Sequence, residues 1–166
     1  VVCHEPKTKV DLVKGVDNHR FTFDAVFTES DSNVTVHNTV LRPLLQHVIA
    51  GGMATVFAFG QTGSGKTCTM AGHGDQARGD GNALGLYNLA AEDIVASAQE
   101  ASLLVAVSFF EVYRGQVLDL LGGSARLDVL EDAAGGVHLV GLRELRCHTA
   151  GEMTQLVLSL IHISEP

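Results

Sequence analysis

Residues Gly60-Gln61-Thr62-Gly63-Ser64-Gly65-Lys66-Thr67 satisfy G-x-x-x-x-G-K-[ST] directly after the apolar run Thr55-Val56-Phe57-Ala58-Phe59. This order constrains the chain more than any other feature in it. A β-rich run of that kind predicts a strand covered on both faces, and the loop then turns it into a helix opening near Thr67. The glycines let the backbone curl so that successive N–H groups face one anion, with the positive end of the helix beneath it. In such a loop Lys66 reaches the outer phosphates of a nucleotide and the Thr67 hydroxyl ligates Mg²⁺.

Composition removes several alternatives. The chain has 166 residues, 46% of them hydrophobic and 18% charged, which is enough apolar material for one core. Its formal net charge of -8 argues against a nucleic-acid partner held by a basic face. No apolar run approaches the roughly 20 residues of a bilayer-spanning helix, so no membrane partner is expected. Cys3, Cys68 and Cys147 form no C-x-x-C pair and suggest neither a disulfide framework nor a zinc knuckle, which favours a reducing compartment. The first residues show no secretory signal and no initiator Met, the latter a hint of a fragment.

Along the chain, Val10, Leu12 and Val13 after a Pro6-centred turn, and Phe21, Phe23, Ala25 and Phe27 at period two, predict short strands. Ser30, Ser32 or Asn33 caps a helix carrying Val36, Val40, Leu44 and Val48, kinked at Pro43 and ending at Gly51-Gly52. Residues 72–85 are small, polar and unpatterned, and predict a surface loop. A helical stripe follows at Leu86, Leu89, Ala90, Ile94 and Val95, then strand-like residues 103–113 with a turn at Arg114-Gly115. Residues 126–130 and 137–140 predict a hairpin, and Thr149-Ala150-Gly151-Glu152 predicts a capping box opening a last helix through Met153, Leu156, Val157 and Leu160.

Other chemistry has weaker support. Glu111 ends an apolar strand as a metal-side carboxylate would, but is Glu where Asp is expected. Asp132-Ala133-Ala134-Gly135 fits D-x-x-G, yet Asp and Gly belong in a hairpin turn for turn chemistry alone. The eight histidines show no metal-ligand spacing, and neither Ser64 nor Ser124 fits G-x-S-x-G.

The run Thr55-Val56-Phe57-Ala58-Phe59, the loop through Thr67 and Cys68-Thr69-Met70 resemble the nucleotide-binding core of kinesin motors, A-T-x-F-A-Y-G-Q-T-G-S-G-K-T-x-T-M. Ser108-Phe109-Phe110-Glu111-Val112-Tyr113 and Val117-Leu118-Asp119-Leu120-Leu121 resemble the next kinesin block, which makes Glu111 structural. Val2-Cys3-His4-Glu5-Pro6-Lys7-Thr8-Lys9-Val10-Asp11-Leu12, with Leu127-Asp128-Val129-Leu130-Glu131-Asp132 and Val140-Gly141-Leu142, is similar to the internal-motor, microtubule-depolymerising kinesin-13 group.

The resemblance implies an α/β P-loop NTPase fold of kinesin-motor type, with a central mixed, mainly parallel sheet flanked by helices. It implies ATP and Mg²⁺ as cofactors, held by Gly60, Gln61, Thr62, Gly63, Ser64, Gly65, Lys66 and Thr67, with Thr67 as metal ligand and Cys68 where the family commonly has an adenine-side His. Lys9, Val10 and Asp11 match a K-V-D finger that touches tubulin, so the implied partner is tubulin or the microtubule and the implied location the cytoplasm and its microtubule cytoskeleton, with the spindle as a candidate site. The segments R-x-R-P, N-x-x-S-S-R-S-H and D-L-A-G-x-E do not occur, which implies a partial motor truncated before the switch regions, with no catalytic residue of its own. Its parts would be a hairpin at 1–27, a P-loop core at 33–121, a hairpin and helix at 126–161, and a foreign or truncated end at 161–166. The alternatives are a non-catalytic tubulin-binding module and a small nucleotide kinase, the latter opposed by Arg78 being alone in the loop after the P-loop helix.

Overall fold

The computed structural model describes residues 1–8, 14–74 and 82–164. Lys9, Val10 and Asp11, matched above to a tubulin-touching finger, lie outside the described residues. The chain forms two compact units, Val1–Asp31 and Ser32–Pro166.

The first unit is an antiparallel ribbon of β1 (Val2–Thr8) and β2 (Lys14–Arg20), in register from Val2 opposite Arg20 to Thr8 opposite Lys14. Pro6 is not the centre of a turn; it stands inside β1 opposite Val16. A two-stranded ribbon has open edges, where a residue without N–H can sit without breaking a ladder. Polar cross-strand pairs tie the ribbon: Lys7 Nζ donates to Asp17 Oδ2 at 2.7 Å, and His19 Nε2 lies 3.1 Å from Glu5 Oε2. The alternating Phe21, Phe23, Ala25 and Phe27 form no strand, and Phe21 and Phe23 are exposed. Alternation marks a face, but a strand also needs a partner ladder: Phe21 exchanges backbone hydrogen bonds with Val1 at 2.9 Å each way, and among the described residues no ladder continues past it to Phe23, Ala25 and Phe27.

In the second unit the helix predicted around Pro43 breaks into α1 (Asn33–Val36), a π-helical turn (His37–Leu41) and α2 (Arg42–Ile49). Ser32 supplies the cap, its Oγ accepting the Thr35 N–H. Pro43 brings no N–H and its ring crowds the carbonyl one turn back. The backbone answers by widening rather than kinking, with Arg42 N–H reaching His37 O. After α3 (Lys66–Ala71), the long α4 (Leu86–Glu100) packs against α2, the π turn, α3 and α5 (Ala150–Ser164). Its buried stripe is Leu86, Asn88, Ala91, Val95 and Ala98, turned from the predicted one because small alanines admit close helices and Asn88 caps the Gly85 N–H. Leu41, Leu127, Cys147 and Val157 complete the core.

The strands of this unit are β3 (Val105–Val107), β4 (Phe110–Tyr113), β5 (Gln116–Asp119), β6 (Ala125–Glu131), β7 (Val137–Val140) and β8 (Leu145–Cys147). β4, β5, β6 and β7 form an antiparallel meander, and β3 pairs with β8. The β4–β5 turn has Arg114 and Gly115 at φ +49° and +75°, the primed geometry that matches strand twist. The class is α/β as expected, but every pairing among the described residues is antiparallel, so these residues do not assemble the mainly parallel central sheet. Residues 55–59 likewise form no strand, and Phe57 and Phe59 are 81% and 94% exposed rather than covered. Parallel neighbours come through long crossovers, and no described strand pairs with this segment.

Candidate phosphate-binding site

The loop after residues 55–59 is shaped by its glycines. Gly63 and Gly65 hold φ of +82° and +86°, the left-handed region that L side chains rarely enter. Gly60 lies so close to the Ser64 side chain that a Cβ there would collide with Ser64 Oγ. Ser64 N–H donates to Gln61 O at 3.2 Å, closing the turn, and Gly65 caps α3 by accepting the Thr69 N–H at 2.9 Å.

This curl leaves the N–H groups of Gly65, Lys66, Thr67 and Cys68 without a protein acceptor among the described residues. α3 has only six residues, so the anion-attracting feature is this row of donors rather than a long-helix dipole. Lys66 Nζ curls back and donates to Gly60 O and Gln61 O, both at 2.7 Å. The ammonium is therefore held at the mouth of the loop by carbonyls that an anion can replace. Thr67 and Cys68 are exposed, and Cys68 is a free thiol. A cleft of about 400 Å³ adjoins, lined among others by Val56, Ala58, Lys66, Thr67, Met70 and Tyr87.

The structure thus brings residues 60–68 together as one loop and helix start. It keeps the weaker candidates apart from them: Glu111 lies in β4 opposite Leu118, and among the described residues no carboxylate lines the cleft. Asp132 works as a turn former, its Oδ1 accepting the N–H groups of Ala134 and Gly136 at 2.8 Å each and its Oδ2 meeting His138 Nε2 at 2.8 Å. These bonds, the His138 contact first, hold its carboxyl below the usual range. Sequence reasoning missed Tyr87, which nothing in the local pattern marks as cleft-lining. It also missed the second role of Asn33, read only as a possible cap; its side chain donates to the Cys68 carbonyl within α3.

Residues 2–160 match the kinesin motor domain family. The solved structure of a fast kinesin, described for its ATPase mechanism and interactions with microtubules, superposes with a TM-score of 0.77 at 30% sequence identity. The match covers 90% of this chain and 44% of that one, so the chain spans less than half the length of the motor it resembles.

Proposed function

The chain belongs to the kinesin motor-domain family, and from that premise we propose that residues 60–67 hold the phosphates of ATP with Mg²⁺ in a protein that works as a microtubule ATPase. One observation carries this reading: the N–H groups of residues 65–68, which meet no acceptor among the described residues, the Lys66 ammonium and the Thr67 hydroxyl all belong to one loop and helix start, curled through the positive φ of Gly63 and Gly65. The N–H row donates to phosphate oxygens, Lys66 exchanges its Gly60 and Gln61 carbonyls for the outer phosphates, and Thr67 offers its oxygen to the metal. Mg²⁺, when bound, neutralises phosphate charge. Cys68 borders the same site where a ring contact from His is usual, so the base is held less firmly here.

The finer reading is a kinesin-13-like protein that shortens microtubules. Its support is the sequence similarity of residues 2–12, 127–132 and 140–142, with Lys9, Val10 and Asp11 gripping tubulin, and its place in the cell is the microtubule cytoskeleton, the spindle included. A nucleotide-holding tubulin binder that does not hydrolyse ATP is the second reading, favoured because no carboxylate among the described residues lines the cleft. A fluorescent ATP analogue titrated into the intact protein tests the site. Binding should require Mg²⁺ and vanish in Lys66→Ala; equal affinity in wild type and variant would place the nucleotide elsewhere. For the tubulin grip, replacing Lys9, Val10 and Asp11 together by Ala should spare basal ATPase yet slow microtubule shortening seen by microscopy. Unchanged shortening would retire that role.

A further inference from the structure

Asn33 is 5% exposed, and it joins three segments that meet behind the phosphate loop. Its Nδ2 donates to the Cys68 carbonyl and to the Leu84 carbonyl, each at 3.0 Å, while its backbone N–H donates to Asn82 Oδ1 at 2.8 Å. One amide therefore fastens the start of α1 to α3 and to the stretch that leads into α4. The crossing is backbone against backbone. A Cβ at Gly72 would come within 2.5 Å of Ala83 O and 2.6 Å of Gly85 N, and one at Gly85 would strike Met70 and Ala71.

α3 cannot hold its own place. With six residues it is shorter than any helix stable by itself, and its last carbonyls have no partner within it. The Cys68 carbonyl is one of these; it accepts the Gly72 N–H at 2.9 Å and the Asn33 amide. Cys68 directly follows Thr67, and its own N–H is among the unpaired donors of the loop. We propose that Asn33 is a positioning residue for Mg·ATP: its amide hydrogens fix α3 and so aim the Thr67 hydroxyl and the N–H groups of residues 65–68. This rests on the nucleotide reading above. The three-segment bond pattern, rather than the burial alone, carries it, because a space-filling residue has no need of two carbonyl acceptors on different segments.

The test titrates a fluorescent ATP analogue into the intact protein, with Mg²⁺ and with EDTA, for wild type, Lys66→Ala, Asn33→Ala and Asn33→Asp. Asn33→Ala should weaken Mg²⁺-dependent binding about tenfold, the scale of one buried hydrogen bond. It should also shrink the gain that Mg²⁺ gives, with a smaller change in EDTA. Asn33→Asp keeps the shape but sets acceptor oxygens against two carbonyls, so it should bind more weakly than Asn33→Ala; a space-filling role predicts the reverse order. Loss of equal size with and without Mg²⁺ overturns the proposal, since general loosening gives that result. Wild-type binding that is lost in Lys66→Ala but unchanged in both Asn33 variants overturns it too, and leaves the nucleotide reading standing. A wild type that binds no analogue overturns both. Should Asn33→Ala fail to fold by circular dichroism, Asn33→Ser, too short to span both carbonyls, carries the same comparison.

Discussion

Single residues carry the loop and one buried corner. At Gly65, with φ at +86°, an added Cβ costs about 1–2 kcal/mol of backbone strain. Gly65→Ala should therefore lower the thermal midpoint of the intact protein and weaken the ATP analogue, both measurable in one preparation. An unchanged midpoint would mean that the loop relaxes without strain. Asp119 is 2% exposed, and its carboxylate accepts the Leu121 N–H at 3.0 Å and the Arg143 N–H at 3.1 Å. Asp119→Ala takes this partner from two part-buried donors, and should cost about 1–3 kcal/mol in denaturant unfolding. A loss below about 1 kcal/mol would mean that water replaces the carboxylate there.

Secondary-structure elements answer to their own contacts. The β6–β7 turn is built on Asp132, whose carboxyl titrates below its usual value because of His138 and the N–H groups it accepts. A carboxylate so depressed stabilises the hairpin at pH above its unfolded value of about 4, and the contribution is lost as pH falls through the lower folded value. Amide protection at Ala134 and Gly136, measured by NMR as the exchange rate relative to the unfolded chain at the same pH, should hold at neutral pH and fall only in that acidic range. Asp132→Ala should show low protection at every pH, and protection retained in that variant would assign the turn to its glycines alone. At α4, Ala91 is fully buried where helices crowd together. Ala91→Leu should cost about 1–3 kcal/mol of stability by overpacking, read from the unfolding midpoint.

Over the whole molecule, the apolar segment 53–59 has no cover, with Met53, Phe57 and Phe59 almost fully exposed. Residues 1–166 expressed alone should bind an apolar dye and self-associate in sedimentation, because uncovered apolar surface and unpaired backbone seek partners. A monodisperse monomer without dye binding would show that this surface is tolerated. The same polypeptide should show no microtubule-stimulated ATP turnover. Phosphoryl transfer depends on positioned groups around the reacting phosphate, and among the described residues the cleft offers Lys66 and Thr67 but no carboxylate. Phosphate release near the ~1 s⁻¹ lower end of usual enzyme rates, lost in Lys66→Ala, would overturn this expectation.

Local features were legible from the residues themselves. The G-x-x-x-x-G-K-[ST] spacing announced a curled loop and a helix start, which the positive φ angles of Gly63 and Gly65 reproduce. Turn chemistry announced Arg114-Gly115 and the Asp132 hairpin, and Thr149 and Glu152 cap α5, with Glu152 reaching the His148 N–H one residue early. Each depends on bonds a few residues apart. Features that depend on partners distant in the chain were not legible until the fold brought those partners together. Phe21 to Phe27 and Thr55 to Phe59 have strand-like composition but no described ladder to join. Pro43 was legible as a disturbance, yet the π turn that absorbs it also buries His37 and Leu41 beside α4. Asn33 looked like one capping candidate among three, and became the bond between α1, α3 and the approach to α4 only because residues 49 and 51 positions away fold back to it. A hydrogen-bond donor carries no mark in sequence of the distant carbonyl it will meet.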